Sequence, residues 1–153
     1  MLGLSLGYGV MTSERCSSCD SLDGLGLDLH IGWMLNPQLA VVLEVFGVSH
    51  TENLGGDLTQ TLSQTAGLVG AQFWVTPQIW LKGAIGSGHL TLSNNFGEAI
   101  DQSDDGGAAM IAAGVEVLQS GNFTLDIQLR AGAVAYENET MSMSALTLGA
   151  NWY

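Results

Sequence analysis

Asp28 and His30 stand two residues apart in "GLDLHIGWML" (26–35), an otherwise apolar stretch. In an extended chain side chains alternate between faces, so Asp-x-His puts a carboxylate and an imidazole on one side. Such a pair can ligate a metal, act as an acid–base couple, or sit in a buried charge network. A hairpin centred on "NPQ" (36–38) would set His30 opposite Glu44 and Asp28 opposite Phe46. That supplies a third acidic neighbour, but the pattern forces no complete ligand set, so no metal or cofactor is expected. The same arithmetic on "TPQ" (76–78) sets Gln72 opposite Lys82 and Trp74 opposite Trp80, and "QSGN" (119–122) brings Glu116 to Asp126. Gln128 and Arg130 follow on the same side as Asp126.

The elements that must carry these residues are read from period-two alternation. In "LGLSLGYGV" Leu2, Leu4, Leu6, Tyr8 and Val10 share one face, with glycines and Ser5 on the other. Similar runs cover about 25–35, 39–48, 65–75, 79–89, 109–118, 123–135 and 143–152, which makes eight strands. Connections alternate in length. Those near 11–24, 49–64, 90–107 and 136–142 are long, and the three turns named above are short. This is the pattern of an up-and-down barrel with loops on one rim and tight turns on the other. Both prolines fall in turns, where a missing ladder donor does no harm.

The charges decide which face points out. The 153 residues carry 15 acids and only three Lys or Arg, a net charge of -12. So few basic groups rule out a nucleic-acid partner, which needs a basic surface. By this strand assignment only Asp28, Glu44, Glu116 and Asp126 among the acids lie on strands, all on the small-residue face with His30, Lys82 and Arg130. The aliphatic face is then uncharged along every strand. A soluble barrel needs a wet outer face, so the aliphatic side is expected to face lipid and the small and polar side the lumen. In that narrow interior Lys82, Glu116 and Asp126 are expected at one height above the short turns, with Arg130 higher. Charges there must be paired or neutralised. The leading reading of Asp28, His30, Glu44, Gln72, Lys82, Glu116, Asp126, Gln128 and Arg130 is a lumen network of salt bridges and polar contacts. A narrow gated pore and a metal or catalytic site at Asp28, His30 and Glu44 are the alternatives.

The full chain, with its two kinds of alternation and its ending "LTLGANWY", resembles the small eight-stranded outer-membrane barrels of the OmpA and OmpX type. The resemblance implies an all-β fold, a single eight-stranded antiparallel up-and-down transmembrane β-barrel domain over residues 1–153. It implies a bacterial outer-membrane location and a chain whose signal peptide is absent from the numbered sequence. Trp152 and Tyr153 look like the aromatic ending read by the barrel-assembly machinery, although Asn151 stands where that ending usually carries another aromatic. With the first long loop outside the cell, Cys16 and Cys19 in "CSSC" are expected to form a local disulfide. "DQSDD" (101–105) lacks the spacing of a calcium loop and reads as a solvated acidic loop. The implied partners are outer-membrane lipid and lipopolysaccharide. The barrel is expected to be a monomer, or one subunit of a larger envelope assembly. The implied role is structural or interactive, not enzymatic. A narrow channel for small solutes or ions, and a soluble calycin-like carrier with inverted faces, are the other readings.

Overall fold

Strands that are aliphatic on one side and small or polar on the other can hide their backbone polar groups by closing on themselves. The computed structural model, which describes residues 1–13, 21–55, 58–93, 99–102, 105–137 and 139–153, shows that closure. In chain order the strands are β1 (Leu2–Ser13), β2 (Leu22–Asn36), β3 (Leu39–Gly55), β4 (Leu58–Trp74), β5 (Ile79–Ser93), β6 (Ala99–Gln102), β7 (Gly106–Ser120), β8 (Phe123–Ala135) and β9 (Thr140–Trp152). Sequential neighbours pair antiparallel except β6 and β7, and β1 pairs β9 to close the ring. The short β6 and the long β7 both lie along β5, so they share one position and the barrel has eight strands around it.

The face assignment holds over the belt. Ile31 is 58% exposed, Leu43 59% and Leu148 69%, all pointing outward, while Asp28 and Arg130 are fully buried inside. A calycin-like carrier requires the opposite orientation. The strands also run further into the long connections than the alternation alone suggests. Expected loop residues 49–55 and 58–64 instead form a ladder, with Ser49 and Ser63 hydroxyls 2.8 Å apart and those of Thr51 and Thr61 3.1 Å apart. Polar β-branched residues and paired hydroxyls sustain strands without any apolar alternation. In the lengthened β2, Asp23 occupies an outward position just beyond Leu25, so the uncharged face ends there and does not span the whole strand.

The short turns follow local chemistry. Asn36 Oδ1 accepts from the Gln38 amide at 2.8 Å, and Thr76 Oγ1 accepts from the Ile79 amide at 3.0 Å. Gly121 takes φ of 59°, where a side chain would be strained. A register shift between Glu116 and Leu118 turns both Val117 and Leu118 outward, as a bulge does.

Inside the ring, large and small residues alternate across strands. A side chain at Gly114 would run into the Trp80 indole. Gly114→Val should therefore destabilise the barrel by about 1–3 kcal/mol through overpacking. Urea unfolding in detergent micelles, followed by loss of the heat-sensitive gel mobility of the folded form, measures this.

Candidate functional site: the lumen charge network

Alternation and register bring the inward polar residues together. His30 pairs with Glu44, Asp28 with Phe46, Gln72 with Lys82, Trp74 with Trp80 and Glu116 with Asp126, as the hairpin arithmetic requires. The expected heights need one correction. Lys82 pairs with Ala112, and Ala112 with Arg130, so Lys82 shares a row with Arg130 and not with Glu116. The β5–β7 connection is long, and counting from the short turns carries no register across it.

Two polar layers result. In the first, Arg130 donates from Nη2 to Asp28 Oδ2 at 2.8 Å and from Nη1 to Glu44 Oε1. Lys82 Nζ sits 2.7 Å from Glu44 Oε2, and all four side chains are wholly buried. His30 Nδ1 lies 2.9 Å from Asp28 Oδ2, which also accepts from Ser5 Oγ at 3.3 Å. Two carboxylates thus meet two basic groups, Arg130 and Lys82. Aromatic rings back both cations: Lys82 Nζ is 5.4 Å from the Trp80 ring and Arg130 Cζ 5.7 Å from that of Phe46. Both lie within cation–π range.

Arg130 also donates from Nε to Gln128 Oε1 at 3.0 Å, and Gln128 Nε2 donates to Asp126 Oδ1 at 2.6 Å. This joins the first layer to the second. There Asp126 Oδ2 accepts from Trp80 Nε1 at 3.0 Å and Asn151 Nδ2 at 3.1 Å. Glu116 Oε1 accepts from Trp74 Nε1 at 2.8 Å and from the Tyr153 hydroxyl at 3.1 Å, and Gln119 donates to Oε2. Among the described residues neither Asp126 nor Glu116 has an ion-pair partner. Burial, and then the neighbouring Glu116 carboxylate, raise the Tyr153 phenol above its ordinary range, so this hydroxyl stays protonated as the donor.

Six of the expected residues, Asp28, Glu44, Lys82, Arg130, Gln128 and Asp126, form one bonded chain, with His30 attached. Glu116 belongs to a separate cluster nearer the short turns. Gln72 is buried beside Lys82, but its Oε1 has no hydrogen-bond partner among the described residues. The donors that sequence reasoning left out are Trp74, Trp80, Asn151, Tyr153, Gln119 and Ser5. Trp74, Trp80 and Asn151 share the inward parity of Gln72, Lys82 and Gly149, which is the signal that could have found them. Asn151, the odd residue in the aromatic ending, is thereby explained: it faces the lumen and serves Asp126. Trp152 faces outward against Phe123, with ring centroids 5.2 Å apart, whereas Tyr153 turns inward to Trp74 and Glu116. Cys16 and Cys19 lie outside the described residues.

The donor atoms of Asp28, His30 and Glu44 fall within 4.8 Å of one another, close enough to surround a metal ion. Their carboxylates already meet Arg130 and Lys82, and an added dication would face both buried cations. The arrangement therefore suits charge neutralisation better than metal binding. His30 Nε2 and Asp28 Oδ1 lack partners among the described residues, and the one hydroxyl bonded to the pair there, Ser5 Oγ, donates to Asp28 and not to the imidazole that would have to act as its base.

Removing Arg130 leaves both Asp28 and Glu44 short of a partner. Arg130→Met should cost about 3–5 kcal/mol, more than Lys82→Met, which strips only one oxygen of Glu44. Adding Glu44→Gln to Lys82→Met should recover part of that loss. Unfolding of the three variants in micelles gives the ranking.

No protein-family model matches the chain, and comparison with curated protein sequences finds no match. Solved structures do match. Neisserial surface protein A (NspA) superposes with a TM-score of 0.73 at 12% identity, covering 99% of this chain and 94% of that one. Ail of Yersinia pestis, in complex with the heparin analogue sucrose octasulfate, gives 0.65 at 17% identity, over 99% and 96%. OprG of Pseudomonas aeruginosa, an outer membrane protein, gives 0.55 at 10%, over 99% and 95%. With ring closure, antiparallel order and near-complete coverage in common, this chain has the fold of the small eight-stranded outer-membrane β-barrels.

Proposed function

We propose that the chain is an integral barrel of a bacterial outer membrane whose lumen is closed by its polar network. Its role is structural or interactive and non-enzymatic, and it displays acidic loops outside the cell. The observation that carries this reading is the aliphatic belt outside a charged interior. On β2 the belt runs from Leu25 through Leu27, Leu29, Ile31 and Trp33 to Leu35, every residue at least half exposed. At about 3.3 Å per residue and a tilt near 40°, that run spans about 25 Å, the height of a barrel's lipid-facing band. Exposed apolar area on this scale is unstable in water and stable in hydrocarbon. Lys82, Arg130, Trp80, Phe46 and Gln128 fill the interior, which favours a closed barrel over a channel. Trp152, at the outward end of the Leu146–Leu148–Ala150 row, together with Tyr153, fits the ending read by the assembly machinery. The natural surroundings of the belt are membrane lipid and lipopolysaccharide.

Refolding tests the membrane assignment. The chain should gain β-structure and heat-modifiable gel mobility only with detergent or lipid. A monodisperse, folded protein in plain buffer would reverse the faces and overturn it. Planar-bilayer recording tests closure: wild type and Lys82→Ala should both show no steady conductance above the bare membrane, and ionic steps from wild type would replace the closed barrel with a channel.

The charge distribution also sets the kind of external partner. Of the three basic residues, Lys82 and Arg130 are sealed in the lumen, leaving Arg15 against the acidic loops. The field outside is therefore negative. The folded barrel should pass through a heparin column at physiological salt without retention above a charge-matched acidic control.

A further inference from the structure

The end of the barrel bounded by the short turns holds a cavity of about 550 Å³, lined in part by Met34, Pro37, Pro77, Trp74, Tyr153 and Glu116. Its size falls within the roughly 300–1,000 Å³ of small-molecule sites. Trp74 and Tyr153 supply two aromatic walls, their rings 70° apart and 5.8 Å between centroids. Met34 and the two prolines add a soft apolar lining, and Glu116 provides the acidic group.

Glu116 is 5% exposed, and every hydrogen bond it receives comes from a neutral donor: Trp74 Nε1, the Tyr153 hydroxyl and Gln119 Nε2. Those donors fix the carboxylate in place and leave its charge uncancelled. Asp126, its cross-strand partner, is likewise bonded only by neutral groups, Trp80, Gln128 and Asn151. Both cations of the lumen are engaged with Asp28 and Glu44. The mouth thus combines negative charge with two aromatic rings packed edge to face. Aromatic walls around a point of negative charge are how proteins recognise alkylated ammonium groups. A bare metal ion would prefer several oxygen ligands, and an anion would be repelled.

We propose that this mouth is a binding site for a small alkylammonium group, held by the Trp74 and Tyr153 rings and neutralised by Glu116. The group could be carried by a free organic cation or by the ethanolamine headgroup of a lipid, which present the same chemistry. The inference rests on the short-turn end of the barrel and not on what surrounds the belt.

Amide NMR of the folded barrel in maltoside micelles tests it, since that detergent carries no ammonium of its own. Tetramethylammonium chloride is titrated against 3,3-dimethylbutanol, a neutral molecule of similar shape. The expected result is a saturable shift of the Gln119, Gly121 and Tyr153 amides, with tetramethylammonium binding roughly tenfold more tightly than the alcohol. Glu116→Gln, checked for folding by heat-modifiable mobility, should reduce that preference severalfold, to what the rings alone supply, while leaving the alcohol's binding unchanged. Equal binding of cation and alcohol by wild type would reduce the site to an apolar hollow and overturn the proposal, as would the absence of saturable shifts. The wild-type comparison needs no variant, so poor folding of Glu116→Gln does not blunt the test. Nanodiscs distinguish the sources: if phosphatidylethanolamine blocks tetramethylammonium and phosphatidylglycerol does not, the headgroup is the occupant. If neither blocks, the occupant is a free cation.

Discussion

The bridge that Arg130 makes between Asp28 and Glu44 is the interaction on which the interior depends. It ties β8 to β2 and β3 across the lumen, and through Gln128 it reaches Asp126 and the second layer. Within the belt, an outer face without charge leaves nowhere else for strand-borne charges to go. Once inside, each must be matched, because an unpaired buried ion costs more than a matched pair returns. The network is therefore a consequence of the belt. Its contribution is specificity of register more than net stability: a slip of one residue on β8 would turn Arg130 outward and strand two carboxylates.

Packing follows from the same constraint. An eight-stranded ring has little interior room, and this one admits Trp80, Arg130 and Phe46 as fully buried side chains. Space for them comes from neighbours with none of their own. A Cβ at Gly149 would overlap the side chains of Asp126 and Gln128, as one at Gly114 would overlap Trp80. These glycines serve the lumen's geometry, whereas Gly67, Gly83 and Gly107 lie on the exposed face with open space around them.

Much of this was legible in the sequence. Alternation gave the strand faces, parity put Asp28, His30, Glu44, Lys82, Asp126 and Arg130 on the inner side, and the short turns fixed which residues face one another. Three things were not legible. The extension of β3 and β4 beyond Ser49 and Gln64 rests on hydroxyl pairs and main-chain pairing, which leave no apolar signature. The row shared by Lys82 and Arg130 depends on pairing across a long connection, where residue counting has no anchor. The inward turn of Tyr153 depends on a particular acceptor, Glu116, and a terminal aromatic reads the same whichever way it points.

The lengthened β3–β4 hairpin has a structural consequence of its own. Register between β2 and β3 ends at Ser49, while that between β3 and β4 continues to Gly55. At the fork His50 Nδ1 bonds the Asp23 carbonyl, a side chain standing in for the ladder where the two strands part. Past that point β3 has a neighbour on one side only among the described residues. Among the described residues the ring therefore acquires an edge here, above the belt, with a row of amides and carbonyls that another strand could join. Glu52 at that margin discourages casual pairing. Main-chain hydrogens there should exchange before those of the closed wall, and any unzipping of the barrel should start from this tip.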